Sequence, residues 1–159
     1  MKNDSTLLET IRTHMKQAWK NGENERRDTL RLVIAAVDYA RIANKDELDD
    51  SQVMQVIQKE AKQRKESIDE FTKGNRLDLV VQEELELSII SEYLPDELTE
   101  VELTEIIKEV IAATNAENIN DVGIVMKTLM PKLGGRADGK QANILARELL
   151  SWQIIDQVL

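Results

Sequence analysis

The sequence has 159 residues, of which 42% are hydrophobic, 32% charged and 3% aromatic, and its formal net charge is −9 at pH 7. This length and apolar content suit one globular domain or two small ones, while the scarcity of aromatic residues, Gly and Pro argues against a β-sandwich or barrel. Because the sequence contains no Cys, disulfides, thiolate nucleophiles, zinc fingers and iron–sulfur clusters are excluded.

The first residues lack the features of a secretory signal peptide. Residues 2–6 are polar and lead into a charged amphipathic stretch, without the apolar core of a signal peptide. No apolar run reaches the roughly 18 residues that a membrane-spanning helix needs. The sequence therefore predicts a soluble protein that is located in the cytoplasm and makes no membrane contact.

Four helices are predicted in residues 1–94, where apolar residues recur at helical spacing. A capping box of Thr6 and Glu9 begins the first helix, and Gly22 ends it. The residue before Pro95 disfavours helical geometry, so the fourth helix should end there, with a unit boundary at 94–98. The predicted helices cover about 6–21, 25–43, 50–73 and 77–93.

Three further helices are predicted in residues 95–150. They cover about 100–113, about 121–133, and a stretch that starts at Asp138. A capping box of Thr99 and Glu102 begins the first of them, and Pro131 should kink or end the second. Residues 151–159 form an apolar C-terminal extension, which prolongs the last helix or forms a loose tail. The predicted fold class is all-α, with a helical unit of about four helices followed by a three-helix unit.

Charge is unevenly distributed along the chain. Residues 1–94 have a net charge of −4 and residues 95–126 a net charge of −7, whereas residues 127–147 have a net charge of +4. An acidic protein repels nucleic acid as a whole. One short positive segment in such a chain is the first indication of an anionic partner.

The residues Gly134 to Lys140 satisfy the pattern G-x-x-x-x-G-K of a phosphate-binding P-loop. A P-loop would have Ser or Thr at position 141, which is Gln here, and it would follow a buried strand rather than a helix. The glycines and Asp138 are explained without any ligand, as the end of one helix and the cap of the next. The alternative is an anion site in which Lys132, Arg136 and Lys140 hold an RNA phosphate.

No catalytic group stands out in the sequence. His14 is the only histidine, and the spacing around it does not match a metal site, so we interpret it as a surface or boundary residue and expect no metal or cofactor. Two other basic clusters are interspersed with acids and are interpreted as solvated helix faces: Arg26, Arg27 and Arg31, and Lys59, Lys62, Arg64 and Lys65. The aromatic residues fall on apolar faces and are expected in the core: Trp19, Tyr39, Phe71, Tyr93 and Trp152.

Three runs of residues resemble the YqeY family. They are the stretch from Lys62 to Ser67, the sequence Tyr93-Leu94-Pro95, and the tail motif, which runs from Val125 to Lys132 and from Gly135 to Lys140. The resemblance covers about residues 5–150. The family is grouped with the tail domain of the B subunit of the bacterial tRNA-dependent Asp/Glu amidotransferase, so it implies a GatB/YqeY tail-like three-helix domain over residues 95–150.

The resemblance also implies candidate residues and an activity label. Lys132, Arg136 and Lys140 are the residues expected to contact tRNA phosphate. Ile124 departs from the family pattern, which often has Lys there, and the extension from Trp152 to Leu159 is additional; this extension suggests self-association through residues 152–159. The family label is carbon–nitrogen ligase activity with glutamine as amido-N-donor. Residues with an expected structural role in the tail motif are Gly123, Met126, Pro131, Gly135, Ala137, Asp138 and Asn143.

Three hypotheses for function follow. The first is a non-catalytic helical module that binds tRNA or associates with a tRNA-modifying or tRNA-charging enzyme. The second is a glutamine-dependent amide ligase, which rests on the family label alone, because no catalytic constellation is visible in the sequence. The third is a protein–protein adaptor that makes no RNA contact.

Overall fold

A computed structural model describes residues 6–158 of the chain, and side chains for residues 6–152. Within this described part, the chain forms seven α-helices and one short 3-10 helix and contains no strand. The prediction of an all-α fold is therefore confirmed. The chain divides into two compact units between Leu94 and Pro95.

The first unit contains four helices whose ends lie within two residues of their predicted ends. The hydroxyl of Thr6 accepts a hydrogen bond from the Glu9 N–H, and the Glu9 carboxylate accepts one from the Thr6 N–H, so the predicted capping box is present. Gly22 ends the first helix with φ of 74°. The helices are α1 (Leu7–Asn21), α2 (Asn24–Asn44), α3 (Asp50–Lys73) and α4 (Leu77–Ser91).

All four helices contribute to one apolar core. Fully buried side chains include Ile11 of α1, Leu30 of α2, Ile57 of α3 and Ile90 of α4. Since each aliphatic side chain buried in this way contributes about 1.5–3 kcal/mol, the core is the main source of stability for this unit.

An arginine-centred ion cluster lies between α3 and α4. The Arg64 guanidinium contacts Glu86 at 2.8 Å, Glu60 at 3.5 Å and Glu83 at 3.6 Å, and its side chain is only 14% exposed. The interpretation of this stretch as a wholly solvated helix face is therefore wrong for Arg64. The Oε2 atom of Glu83 is buried and has no hydrogen-bond partner among the described residues. Burial raises the pKa of Glu83, and the nearby charge of Arg64 only partly opposes this.

We expect the Glu83→Gln variant to be more stable than the wild type at pH 7. Folding disfavours the charged form of Glu83, because the folded pKa lies above the unfolded one. This penalty disappears when the side chain is protonated, so the stability difference should shrink as the pH falls toward about 4. Arg64 keeps its contact with Glu86 in the variant. Urea unfolding at both pH values measures the difference, with the exposed neighbour Glu84→Gln as control; equal or lower stability of Glu83→Gln at pH 7 would contradict this account.

The second unit contains three α-helices and the short 3-10 helix, which the sequence did not predict. The side chain of Asn118 caps the 3-10 helix by accepting a hydrogen bond from the Asn120 N–H. The capping box of Thr99 and Glu102 is present as predicted. The elements are α5 (Glu100–Thr114), the 3-10 helix (Ile119–Asp121), α6 (Val122–Leu133) and α7 (Gly139–Val158).

The core of this unit is separate from that of the first. Buried residues from α5, α6 and α7 meet in it, including Ile107, Leu129 and Leu150. The helix α7 continues to Val158, so the extension prolongs the helix as far as it is described. Self-association was predicted through residues 152–159. Leu159 and the side chains of 153–158 lie outside the described part of the chain, so this prediction falls on residues that the structure does not describe.

Three of the five aromatic residues expected in the core are exposed. Trp19 is 63%, Tyr39 is 78% and Trp152 is 70% exposed, while Phe71 and Tyr93 are half-buried. The helical rotation of about 100° per residue explains the case of Trp19, because its neighbour Ala18 takes the inward position. The core interpretation is therefore wrong for the two tryptophans and Tyr39.

Candidate nucleic-acid interface

The connection between α6 and α7 is the segment that carries the tail motif. Gly134 and Gly135 end α6 with φ of 54° and 76°, a left-handed geometry that disfavours residues with a Cβ. The segment follows a helix rather than a strand. These observations confirm the interpretation of the glycines as a helix end, and a P-loop does not fit this geometry.

Asp138 caps α7. Its Oδ1 atom accepts hydrogen bonds from the N–H groups of Lys140 at 2.8 Å and Gln141 at 3.1 Å. Two N–H groups in the first turn of α7 are therefore already hydrogen-bonded to a carboxylate of the chain itself. A phosphate would have to be bound by side chains, not by this helix N-terminus.

Arg136 makes three hydrogen bonds within the second unit. Its Nε donates to the Asp96 carbonyl at 2.9 Å, its carbonyl accepts from the Leu98 N–H at 2.8 Å, and its N–H donates to the Leu133 carbonyl at 2.9 Å. Its charge also reaches Glu102: hydrogen bonds from Thr99, together with the positive charge of Arg136, hold the pKa of Glu102 below its usual value. Arg136 thus fixes the α6–α7 connection against the segment that leads into α5.

The three cations that the sequence grouped as phosphate ligands have different environments in the structure. Lys132, in the last turn of α6, and Lys140, in the first turn of α7, are exposed, and neither takes part in an ion pair with a described residue. Arg136 is half-buried, and its Nε already donates a hydrogen bond to the Asp96 carbonyl. The two lysines are therefore accessible to a ligand, and the main observed role of Arg136 is structural.

The remaining motif residues have different structural roles. Met126 and Ala137 are half-buried against the core of the unit, while Pro131 lies inside α6, which ends two residues later. The Asn143 Oδ1 accepts a hydrogen bond from the Arg147 Nε at 2.8 Å. A Cβ placed on Gly123 would meet no atom within 4 Å, so nothing in the unit explains a glycine there.

Gly139, at the start of α7, lies close to the end of the Met130 side chain. A Cβ on Gly139 would lie 3.2 Å from the Cε of Met130, which is closer than ordinary van der Waals contact. Met130 is exposed and its terminal methyl can shift by a few tenths of an ångström, so this contact alone does not require glycine.

Three further exposed residues lie on α6 and α7, and the sequence analysis did not name them as site residues. Lys127 on α6 and Arg147 on α7 are exposed, and neither forms an ion pair with a described side chain. Trp152, near the end of the described side chains, is also exposed on α7. The helical spacing of the buried residues Ala142, Ala146 and Leu150 identifies the outward positions of α7, and this was the available signal.

His14 lies in a polar network of the first unit. Its Nδ1 is 2.7 Å from the Tyr93 hydroxyl, and the Arg26 guanidinium donates to Glu92 at 3.0 Å. The hydrogen bond from Arg26 lowers the pKa of Glu92, and burial raises the pKa of Tyr93. In the described part of the chain, no group of three or more His, Cys, Asp or Glu side chains is arranged to hold a metal ion. No described helix is long and apolar enough to cross a bilayer.

Comparison with known proteins identifies the family. A family model described as "Yqey-like protein" matches residues 8–150. The chain belongs to the YqeY family. The match confirms the resemblance that the sequence analysis described, and the matched residues include parts of both units.

Several fungal proteins are similar to this YqeY-family chain. An uncharacterized protein of Schizosaccharomyces pombe is 28% identical over 95 residues, which cover 60% of this chain and 77% of that protein. "Altered inheritance of mitochondria protein 41, mitochondrial" of Pyrenophora tritici-repentis is 28% identical over 136 residues, covering 84% and 75%. The protein of the same name from Lachancea thermotolerans is 35% identical over 85 residues, covering 53% and 46%. The chain thus spans less than half the length of the last relative.

The expected cytoplasmic location is corrected by these relatives. Five fungal relatives, each from a different species, are named as mitochondrial proteins. These names point to mitochondria, and the prediction of a cytoplasmic location is wrong. The prediction of a cytoplasmic location rested only on the lack of a signal-peptide core and of a long apolar run, and neither is a positive signal for the cytoplasm.

The structural role of Arg136 is testable by unfolding. We expect Arg136→Ala to lower the free energy of unfolding by about 1 kcal/mol, because the Asp96 carbonyl loses a charged donor. The matched variant Lys140→Ala removes an exposed cation and should change stability by less than about 0.5 kcal/mol. Urea denaturation followed by circular dichroism compares the two; equal effects would refute the structural role.

Proposed function

We propose that the chain is a non-catalytic module that binds tRNA through the exposed cations of α6 and α7. These are Lys127, Lys132, Lys140 and Arg147, which we call the cation surface. The family resemblance relates the second unit to the tail domain of a tRNA-dependent amidotransferase, and this relation selects tRNA among the possible anionic polymers.

The observation that carries the proposal is that the charge of the cation surface is not neutralised locally. None of its four members forms an ion pair with a described carboxylate. The one acid within residues 127–147 is Asp138, whose carboxylate is occupied by the first turn of α7, and Glu148 directly follows Arg147. In the first unit, the exposed lysines Lys16 and Lys20 form no ion pair with a described residue either, whereas six arginines do: Arg12, Arg26, Arg27, Arg41, Arg64 and Arg76.

The acidic remainder of the chain sets the strength and salt dependence of binding. The net charge of −9 repels RNA at other surfaces, so binding depends on a few phosphate contacts. With three or four contacts, the logarithm of the affinity should fall with the logarithm of the salt concentration at a slope of roughly −2 to −4.

The proposal is tested by titrating the full chain with fluorescently labelled tRNA. We expect salt-sensitive binding, and we expect Lys132→Glu/Lys140→Glu to weaken it by at least about tenfold, since two phosphate contacts become repulsive. Fluorescence anisotropy at two salt concentrations measures both effects.

A matched double variant controls for net charge. Lys16→Glu/Lys20→Glu changes two exposed lysines of α1, neither of which is ion-paired with a described residue, and alters the net charge equally. The proposal requires this control to bind like the wild type. It fails if both double variants lose the same affinity, or if the wild type does not bind tRNA at low salt. An interaction with proteins that survives nuclease treatment would then favour the adaptor hypothesis.

A further inference from the structure

The helices α3 and α4 form a hairpin that continues beyond the core of the first unit. The last buried residue of α3 is Ala61, and the first buried residue of α4 is Ile89. Between them, residues 62–88 include no buried side chain, and only Leu85 and Leu87 of this stretch pack against the core. After Ala61, α3 continues for about 18 Å along its axis, at 1.5 Å per residue. Half of α3 therefore lies outside the core.

The part of the hairpin between Arg64 and Glu83 is separate from the core. We call residues 65–82 the distal arm. Its larger apolar side chains are half-buried or exposed, and none of them packs against the core of the first unit. They are Ile68, Phe71, Leu77, Leu79, Val80 and Val81. A movement of the distal arm therefore breaks no contact of the core.

The Arg64 ion cluster lies where the core-packed part of the hairpin ends. Arg64 follows Ala61 by almost one helical turn, and Glu86 precedes Ile89 by the same interval. The Arg64 guanidinium joins the two helices at this level, with Glu86 at 2.8 Å and Glu83 at 3.6 Å. All three of these charged side chains are largely buried. The cluster therefore connects α3 to α4 at the base of the distal arm.

The distal arm has few contacts that stabilise it. Isolated helices shorter than about 12–15 residues are only marginally stable in water. Both helical segments of the distal arm, residues 65–73 and 77–82, are shorter than this. Regions with few buried apolar contacts and exposed helical hydrogen bonds open at a lower free energy than the core to which they are attached. The distal arm meets both conditions.

We propose that the distal arm opens and closes while the rest of the first unit stays folded, and that the Arg64 cluster is the boundary that confines this opening. The run from Lys62 to Ser67, which carries part of the family resemblance, lies at this boundary. The distal arm is then a segment that changes conformation without loss of the fold. It belongs to the first unit, so the proposal does not rest on RNA binding by the second.

Native-state hydrogen exchange of the full chain, followed at single amides by nuclear magnetic resonance, tests the opening. Leu30 and Val33 are buried in the core on α2 and report global unfolding of the first unit. We expect the amides of Ile68 and Phe71 to exchange at least about a hundredfold faster than those of Leu30 and Val33, because local opening suffices to expose them. Equal exchange rates for the two pairs of amides would overturn the proposal.

Two substitutions separate local opening from global unfolding. Ile57→Val removes a buried methyl group from the core and should accelerate exchange at Leu30 by roughly two- to tenfold. It should leave exchange at Phe71 unchanged, because the open state keeps the contacts of Ile57. Ile68→Ala removes apolar contacts within the distal arm and should accelerate exchange at Phe71. The proposal fails if Ile57→Val accelerates Phe71 and Leu30 by the same factor, or if Ile68→Ala leaves Phe71 unchanged.

Arg64→Gln tests the boundary. The variant loses the charged contacts to Glu83 and Glu86, so opening should extend toward the core and the Ala61 amide should exchange at the rate of the distal arm. Lys62→Gln removes an exposed positive charge two residues away and should leave Ala61 as well protected as in the wild type. If Ala61 stays as protected as Leu30 in Arg64→Gln, the Arg64 cluster is not the boundary of the opening.

Discussion

The α6–α7 connection is fixed by Arg136, which the sequence alone suggests for phosphate binding, and by Asp138, which the sequence predicts as a helix cap. Arg136 uses its N–H to bind the end of α6, and its carbonyl and Nε to bind the segment that leads into α5. Asp138 satisfies the first turn of α7. Because these two charged residues are occupied, Lys132 and Lys140 are held at the surface on either side of a well-defined turn. The candidate interface depends on this internal fixation.

Electrostatics gives this arrangement its functional meaning. In this chain with a net charge of −9, most arginines of the first unit lie close to acids that neutralise them. The α3–α4 pair shows the extreme case, with one guanidinium among three carboxylates and one carboxylate oxygen left without a hydrogen bond. The cation surface differs, because none of its four members forms an ion pair with a described carboxylate. The charge that remains is available to a phosphate backbone.

The helices and their caps were predictable because their signals are local. The apolar periodicity, the two capping boxes and the glycines at Gly22 and Gly134 each depend on residues within one turn of the helix end, and each was confirmed. The role of Arg136 was not predictable, because its acceptor at Asp96 is 40 residues away in sequence. The exposure of Tyr39 was missed for a different reason: α2 is apolar on two faces, and periodicity does not tell which face is buried.

The most direct test of the account is a nuclear magnetic resonance titration of the isotopically labelled full chain with unlabelled tRNA. The account predicts that the amide signals that change first belong to α6, α7 and their connection, with Lys132 and Lys140 among them. The signals of α1 to α4 should stay in place at the same ratio of tRNA to protein. Changes that are concentrated in α1 to α4, or no changes at low salt, would contradict the assignment of RNA binding to the cation surface.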